Sequence, residues 1–215
     1  MSKDFNILFA GFGGQGVLFS GKLAAYAGLY DNKNITWLPS YGPEMRGGTA
    51  NCSVCISENP IGSPCVVSPN AFVALNLPSF QRFKDRVVPG GTMIVDSWMI
   101  PEKCDRTDIN IVYIPASKLA SDNNIEGMSN IILLGKLFKE TNFCTAESLD
   151  KAILKCVPKS KQHLIEPNRK ALQLGINAWM DYQLANEIGT DCILPYTEHQ
   201  NRKDLLTIKK TIRRT

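Results

Sequence analysis

Long apolar runs are missing from this chain: none approaches the roughly 18 residues that a membrane-crossing helix needs. Histidine is scarce. His163 and His199 are the only two, and they lie too far apart to form a paired-histidine metal motif. The seven cysteines are scattered and contain one C-x-x-C, Cys52 and Cys55, with no second such pair to complete a four-thiolate site. An odd, scattered set argues against a disulfide framework, so the thiols are expected to be reduced. The start, MSKDFNILFAGFGG, lacks the pattern of a signal peptide, because its apolar run leads directly into glycines. A cytoplasmic protein is therefore expected. Repeats and low-complexity tracts are also absent. Charge of one sign is missing from most of the chain. Residues 198–215 hold six basic and two acidic residues, and residues 1–197 hold 18 of each, so the net +4 belongs to the tail.

What is there begins at Phe5. Phe5 to Ala10 is a short apolar run that reads as a buried strand. Gly11, Gly13, Gly14 and Gly16 follow, then Val17, Leu18, Ala24, Ala25 and Leu29 at near-helical spacing. Gly11, Gly13 and Gly16 fit G-x-G-x-x-G in a strand-turn-helix context, where glycine permits the turn and lets a ligand approach the backbone. The helix start then offers unpaired N–H groups and a positive dipole end to an anion such as a diphosphate. A tight turn that binds nothing is the alternative. Gly21, Ala24, Ala25 and Gly28 keep one helix face small enough to lie close on a sheet. An NAD site also wants an acid at the end of the second strand, about 20 residues on. That strand, Asn34 to Leu38, ends in Pro39, Ser40, Tyr41 and Gly42, and Asp31 comes before it. The turn suits a nucleotide, but not in the NAD manner.

Pro39 to Gly48, PSYGPEMRGG, is expected to be a loop displaying Glu44 and Arg46. Thr49 to Ile56 reads as a strand. Cys52 and Cys55, three apart on it, should point to opposite faces, which suits neither a shared metal nor a redox disulfide. Ala71 to Leu77, Thr92 to Asp96 and Ile109 to Ile114 are further strands, with a helix from Pro78 to about Val87 and another segment starting at Pro115. Helices are then expected over Met128 to Glu140, Thr145 to Cys156 and about Pro167 to Leu184. Interleaved strands and helices predict an α/β, Rossmann-like fold: a mostly parallel sheet with helices on both faces. Residues 1–185 form the expected domain and 186–215 a basic C-terminal extension.

The glycine turn and the loop together resemble one family. GFGGQGVLFSGKLAAYAG, WLPSYGPEMRGGTANCSVCIS and IGSP at 61–64 resemble the gamma subunit of the 2-oxoacid:ferredoxin oxidoreductases, which include the pyruvate, 2-oxoglutarate, 2-ketoisovalerate and indolepyruvate enzymes. GMSNIILLG at 127–135 and EPNRKALQLGINA at 166–178 look like later landmarks of the same family. The resemblance implies a subunit of a complex that decarboxylates a 2-oxoacid on thiamine diphosphate, reduces ferredoxin and transfers the acyl group to coenzyme A. Thiamine diphosphate, Mg2+ and the 4Fe-4S clusters would belong to alpha, beta and possibly ferredoxin-like delta subunits. This chain has neither a thiamine-type G-D-G nor a cluster-type cysteine pattern.

The gamma domain would close over the active site and help hold coenzyme A, whose diphosphate and 3′-phosphate need N–H donors and cations rather than an acid. Gly11, Gly13, Gly14, Gln15 and Gly16 match the family's turn, and Lys22 is a candidate to reach back toward a phosphate, a solvated lysine being the alternative. Ser40, Tyr41, Gly42, Pro43, Glu44, Arg46, Gly47 and Gly48 form the implied active-site and interface loop. Arg46 could pair with a phosphate or the substrate carboxylate, with Glu44 holding it; a structural ion pair at a subunit interface competes. Tyr41 and Met45 are expected to pack against a partner. The chain departs from the family at Cys55, where a basic or small residue is usual, so that strand is given no ligand role. No catalytic residue and no metal ligand is assigned in this chain.

Two other classes stay open: a stand-alone nucleotide-binding protein, and a pure interaction subunit with a vestigial turn. In the tail, Leu205, Ile208 and Ile212 make one helical stripe among Lys203, Lys209, Lys210, Arg213 and Arg214. The stripe is narrow, and no aromatic is interleaved with the basic residues, which weakens membrane and nucleic-acid readings. A clamp on a partner subunit is the expectation, a solvated end the alternative.

Overall fold

The computed structural model describes residues 4–41 and 49–178. Six strands form one sheet: β1 (Phe5–Phe12), β2 (Asn34–Tyr41), β3 (Thr49–Ser57), β4 (Ala71–Ala74), β5 (Thr92–Asp96) and β6 (Asn110–Ile114). Their order across the sheet is β2-β3-β1-β4-β5-β6. β1, β4, β5 and β6 are parallel to one another, and β3 runs against both its neighbours. The helices are α1 (Val17–Tyr30), α2 (Leu77–Phe83), α3 (Ala116–Asp122), α4 (Ser129–Thr141), α5 (Ala146–Cys156) and α6 (Ile165–Asn177). This is the expected α/β class, a mixed but mostly parallel sheet.

The strand period of two builds the two sides of the core. Phe5, Ile7 and Phe9 of β1 join a large cluster with α1, α3, α4, α5 and α6. Leu8 and Ala10 face the other way, onto Phe72, Phe80 and Phe83, the last two from α2. A strand buried on both faces reads as a continuous apolar run, which is why Phe5 to Ala10 shows no alternation. Cys52 lies in the large cluster, while the Cys55 thiol faces the Ser63 carbonyl at 3.7 Å, so the C-x-x-C pair is split between the two faces as expected.

Several expected boundaries move. The strand expected to end at Leu38 continues through Pro39, Ser40 and Tyr41, paired with Cys52, Asn51 and Ala50, so Ser40 and Tyr41 are strand and not loop. Among the described residues β2 is an edge strand, with β3 its only neighbour, and there a proline need not break a ladder. Gly42, Pro43, Glu44, Met45, Arg46, Gly47 and Gly48 lie outside the described residues. The apolar run expected to be strand as far as Leu77 stops being one at Ala74. Asn76 intervenes as the cap of α2, its side chain accepting from the Ser79 N–H at 2.9 Å, with a proline in the first turn. Capping outweighs the apolar run. The helix expected to reach Val87 ends at Phe83 and tightens into a 3-10 turn over Lys84–Arg86. The last helix begins at Ile165 and reaches Asn177, and everything from residue 179, including the extension 186–215, is outside the described residues.

The topology collects several chain segments at one end of the sheet. The register pairs Phe12 with Thr49 and Tyr41 with Ala50. The glycine turn after β1, the end of β2, the start of β3 and the cap of α2 therefore share the carboxyl edge. The IGSP segment follows β3 and lies at the opposite edge, where Gly62 and Ser63 line a cavity of about 420 Å³ with Asn6, Cys55 and Cys65.

Candidate functional site

The turn between β1 and α1 is closed from inside. The Gln15 side-chain carbonyl accepts from the Phe12 N–H at 2.6 Å, and the Gln15 N–H donates to the Phe12 carbonyl at 3.2 Å. The other end of the same side chain donates to the Leu75 carbonyl at 3.1 Å, and Asn76 approaches its oxygen at 3.4 Å. Gln15 thus ties the turn to the β4–α2 junction, and its side chain points inward. Gly11 also faces inward: an added Cβ would meet Gln15 Oε1 at 2.8 Å and Leu75 Cβ at 3.0 Å.

Gly14 and Gly16 hold the outer part. Gly14 has φ 97° and is exposed, with nothing within 4 Å of where a Cβ would stand. Gly16 is the N-cap of α1, with φ 73° and ψ 16°. Both angles are left-handed, the region open to glycine at little cost. Gly13, half-buried, sits between them and β1. Among the described residues no side chain caps α1, and no acid lies in its first turn. The first N–H groups of a helix have no partner within it, so this end keeps its donors and its positive pole for something outside the helix.

A second helix start meets the first at this point. Asn130, in the first turn of α4, is 3% exposed. Its Nδ2 donates to the Gly16 carbonyl at 3.1 Å and to Ser20 Oγ at 3.0 Å, and Ser20 Oγ donates to the Asn130 carbonyl at 3.2 Å. A Cβ on Gly16 would collide with the Asn130 amide.

Lys22 is not brought to the turn. Its ammonium lies 5.8 Å from the centre of the Tyr26 ring, one helical turn further on, and close enough to α5 for its charge to act on the Cys156 thiol. Ser40 is exposed near the end of β2, and Tyr41 closes that strand. Asp31 sits at the far end of α1 and accepts from the Thr145 N–H and Oγ1, both at 2.7 Å, which ties that end to Thr145, the residue whose own hydroxyl caps α5 by accepting from the Ser148 N–H. Burial would raise its pKa, but the hydrogen bonds from Ser148 and Thr145, with the charge of Lys33, bring it below the ordinary value.

At the end of β5, Asp96 is buried, and this burial pushes its carboxyl up against the opposing pull of its hydrogen bonds. It accepts from Ser117 Oγ at 2.6 Å, the Ser117 N–H at 3.1 Å and the Trp98 N–H at 3.2 Å, which staples β5 to the start of α3. The Cys52 thiol, under α1 and bonded to Trp37, is pushed up to about 12 by burial and is no nucleophile at neutral pH. Among the described residues, no three His, Cys, Asp or Glu gather into a metal-holding group, and no helix is long and apolar enough to cross a membrane.

Sequence reasoning placed the turn and its glycines but missed Asn130, Ser20 and Asn76. The asparagine in GMSN, polar at the start of an apolar helix, was the available signal.

Comparison with known proteins identifies the family. The family model for pyruvate ferredoxin/flavodoxin oxidoreductase matches residues 6–178. The chain is 37% identical over 191 residues to the 2-oxoglutarate synthase subunit KorC of Methanocaldococcus jannaschii, covering 87% of this chain and 96% of the other. It is 32% identical over 185 residues to the ketoisovalerate oxidoreductase subunit VorA of Methanothermobacter thermautotrophicus, where 86% of this chain matches 38% of the relative. The keto/oxoacid ferredoxin oxidoreductase gamma subunit of Geobacter sulfurreducens superposes with a TM-score of 0.68 at 30% identity, over 80% of this chain and 95% of that one. The 2-oxoglutarate:ferredoxin oxidoreductase of Magnetococcus marinus, solved with 2-oxoglutarate, coenzyme A and succinyl-CoA bound, shares the fold, with a TM-score of 0.73 at 23% identity over 82% of this chain and 31% of that one. A turn of this kind on a sheet of this kind, with matches along nearly all of the described chain, makes it a member of the 2-oxoacid:ferredoxin oxidoreductase family, as a gamma subunit.

Proposed function

We propose that this chain holds the diphosphate of coenzyme A on its glycine turn, within a complex that converts a 2-oxoacid, coenzyme A and oxidised ferredoxin to acyl-CoA, CO2 and reduced ferredoxin. The observation that carries this is the start of α1: a helix end with no acid in its first turn and, among the described residues, no side-chain cap, preceded by left-handed glycines, one of them open to solvent. Such an end favours an anion through its N–H groups and its dipole. Gly13, Gly14 and Gly16 supply the close backbone approach, while Gly11 and Gln15 hold the turn in shape from inside. β2 ends at Tyr41 and β3 begins at Thr49 beside this turn, with residues 42–48 between them in the sequence. Arg46 among them is assigned to a phosphate or to the substrate carboxylate, and Glu44 to holding Arg46.

Alpha and beta subunits, with thiamine diphosphate, Mg2+ and 4Fe-4S clusters, would supply the decarboxylation and electron transfer, with a ferredoxin-like delta subunit where one exists. Closure of the active site by this chain, a folded domain over 1–185, a partner-docking extension over 186–215 and a cytoplasmic setting belong to the same reading. Its support is the fit of the turn to a diphosphate and the coenzyme A found in a complex of the same fold.

Gly14→Ala tests the site in the assembled enzyme. The fold has room for the methyl group, so its effect falls on the ligand and on the local φ. The KM for coenzyme A should rise about tenfold, the equivalent of losing one or two hydrogen bonds, while the KM for the 2-oxoacid stays where it was. An unchanged KM for coenzyme A would leave the chain a pure interaction subunit.

A further inference from the structure

We propose that Asn130 is a positioning residue for coenzyme A: from α4 it locks the Gly16 peptide so that the first N–H of α1 is aimed out of the helix at the diphosphate. The inference rests on the reading of the turn given above and adds the device that orients it.

The geometry leaves Asn130 one arrangement. Its amide nitrogen has two protons and two partners, the Gly16 carbonyl and Ser20 Oγ, at 3.1 and 3.0 Å. With the amide reversed, its oxygen would stand against the Gly16 carbonyl oxygen, two acceptors face to face. Ser20 Oγ donates to the Asn130 carbonyl at 3.2 Å, which closes a ring between the two helix starts. The Gly16 carbonyl also takes the Ser20 N–H at 3.0 Å, the first bond of α1. It is therefore held by donors from two helices.

A trans peptide is planar, and its C=O and N–H point in opposite directions. Fixing the Gly16 carbonyl toward Ser20 and Asn130 consequently fixes the Val17 N–H in the opposite sense, out of the helix start. Asn130 and Ser20 are both buried, at 3% and 0% exposure, so the lock sits behind the turn, on the side away from the ligand. Glycine takes left-handed and right-handed angles about equally readily, so the Gly16 peptide has little preference of its own and is held in one orientation by the donors of Ser20 and Asn130.

The test compares Asn130→Leu, Asn130→Asp and Gly14→Ala in the assembled complex, with the 2-oxoacid saturating. Coenzyme A affinity is read both as KM and as Kd by titration calorimetry. Asn130→Leu removes both donors, and KM and Kd for coenzyme A should rise about tenfold, near the value of one lost hydrogen bond to a charged group. The kcat at saturating coenzyme A should stay within about twofold, because the turn can still be driven into place by the ligand. Asn130→Asp gives a readout that holds even if the leucine variant does not assemble. Its carboxylate repels the Gly16 carbonyl, but the protonated acid can donate to it, so the KM for coenzyme A should return toward the native value as the pH is lowered.

If Gly14→Ala raises the KM and neither Asn130 variant does, the positioning role is wrong. A fall in kcat as large as the rise in KM would make Asn130 a residue of general structure and also overturn it. If none of the three variants moves KM or Kd, the turn does not hold coenzyme A, and the proposal falls with that reading.

Discussion

The two ends of α1 are finished in opposite ways. At the C-terminal end the Asp31 N–H reaches the Ala27 and Gly28 carbonyls, the Lys33 N–H also reaches Gly28, and Asn32 takes φ 57° to turn the chain. The Asp31 carboxylate is then occupied by Thr145 and Ser148 of α5. The N–H groups of Asp31, Asn32 and Lys33 and the Asp31 carboxylate all have partners inside the fold. The N-terminal end has two left-handed glycines, no acid in its first turn and, among the described residues, no side-chain cap. Glycine serves both ends, but differently. Near the C-terminal end Gly28 makes room for the sheet: its missing Cβ would stand 2.8 Å from Ile56 and 3.1 Å from Ile35. At the other end Gly14 faces open space. An end that satisfies itself is structure, and an end that leaves donors unpartnered within the helix is equipped for a ligand.

Substitutions along this one helix should separate the two roles. Gly28→Leu forces a side chain between α1 and β2–β3 and should cost about 3 kcal/mol, roughly 10 °C in melting temperature for a chain of this size. In complexes that still assemble, the KM for coenzyme A should not move; a shift comparable to that of Gly14→Ala would erase the distinction between the ends. Gly16→Ala should cost about 2 kcal/mol, from a left-handed alanine and its collision with Asn130. It should weaken coenzyme A binding as well, which calorimetry on the complex would show. Asp31→Asn should cost about 1 kcal/mol, the net worth of a hydrogen bond or two to the carboxylate, and leave coenzyme A binding alone.

The Asp31 effect has a definite pH dependence. Its folded pKa is depressed below the ordinary 3.8, so its stabilisation is fully present above 3.8 and is lost as the pH falls through the folded value. Thermal unfolding of native and Asp31→Asn chains should therefore differ at pH 7 and converge in acid below 3.8. A difference that persisted there would mean that the carboxylate charge is not what holds Thr145 and Ser148 to the end of α1.

Much of the turn was legible because its causes are local. Phe5 to Ala10 had to be a strand buried on both faces, and the small residues Gly21, Ala24, Ala25 and Gly28 had to be the face laid on the sheet. The opposite facing of Cys52 and Cys55 followed from strand geometry alone. The misreadings were places where a neighbour outvoted the local signal. Pro39 looked like the end of β2, but at the edge of a sheet a missing N–H need not break a ladder. Ala71 to Leu77 looked like one strand, but Asn76 found the Ser79 N–H and began a helix. Where side chains would lie was a separate matter that sequence did not carry: the Lys22 ammonium lies over Tyr26, and the Gln15 side chain is bonded to Phe12 and Leu75.

The amino-acid order by itself determined the element types, the strand-turn-helix start and membership of a family. These rest on periodicity, glycine and motif, which act over a few residues. Only the tertiary structure decided that β3 runs against its neighbours, that β2 ends and β3 begins beside the glycine turn, and that Asn130 meets Gly16 across 114 positions of chain. Those contacts depend on which strands pair and which helix starts converge. That outcome is set by burying both faces of the sheet at once, and no window of neighbouring residues carries it.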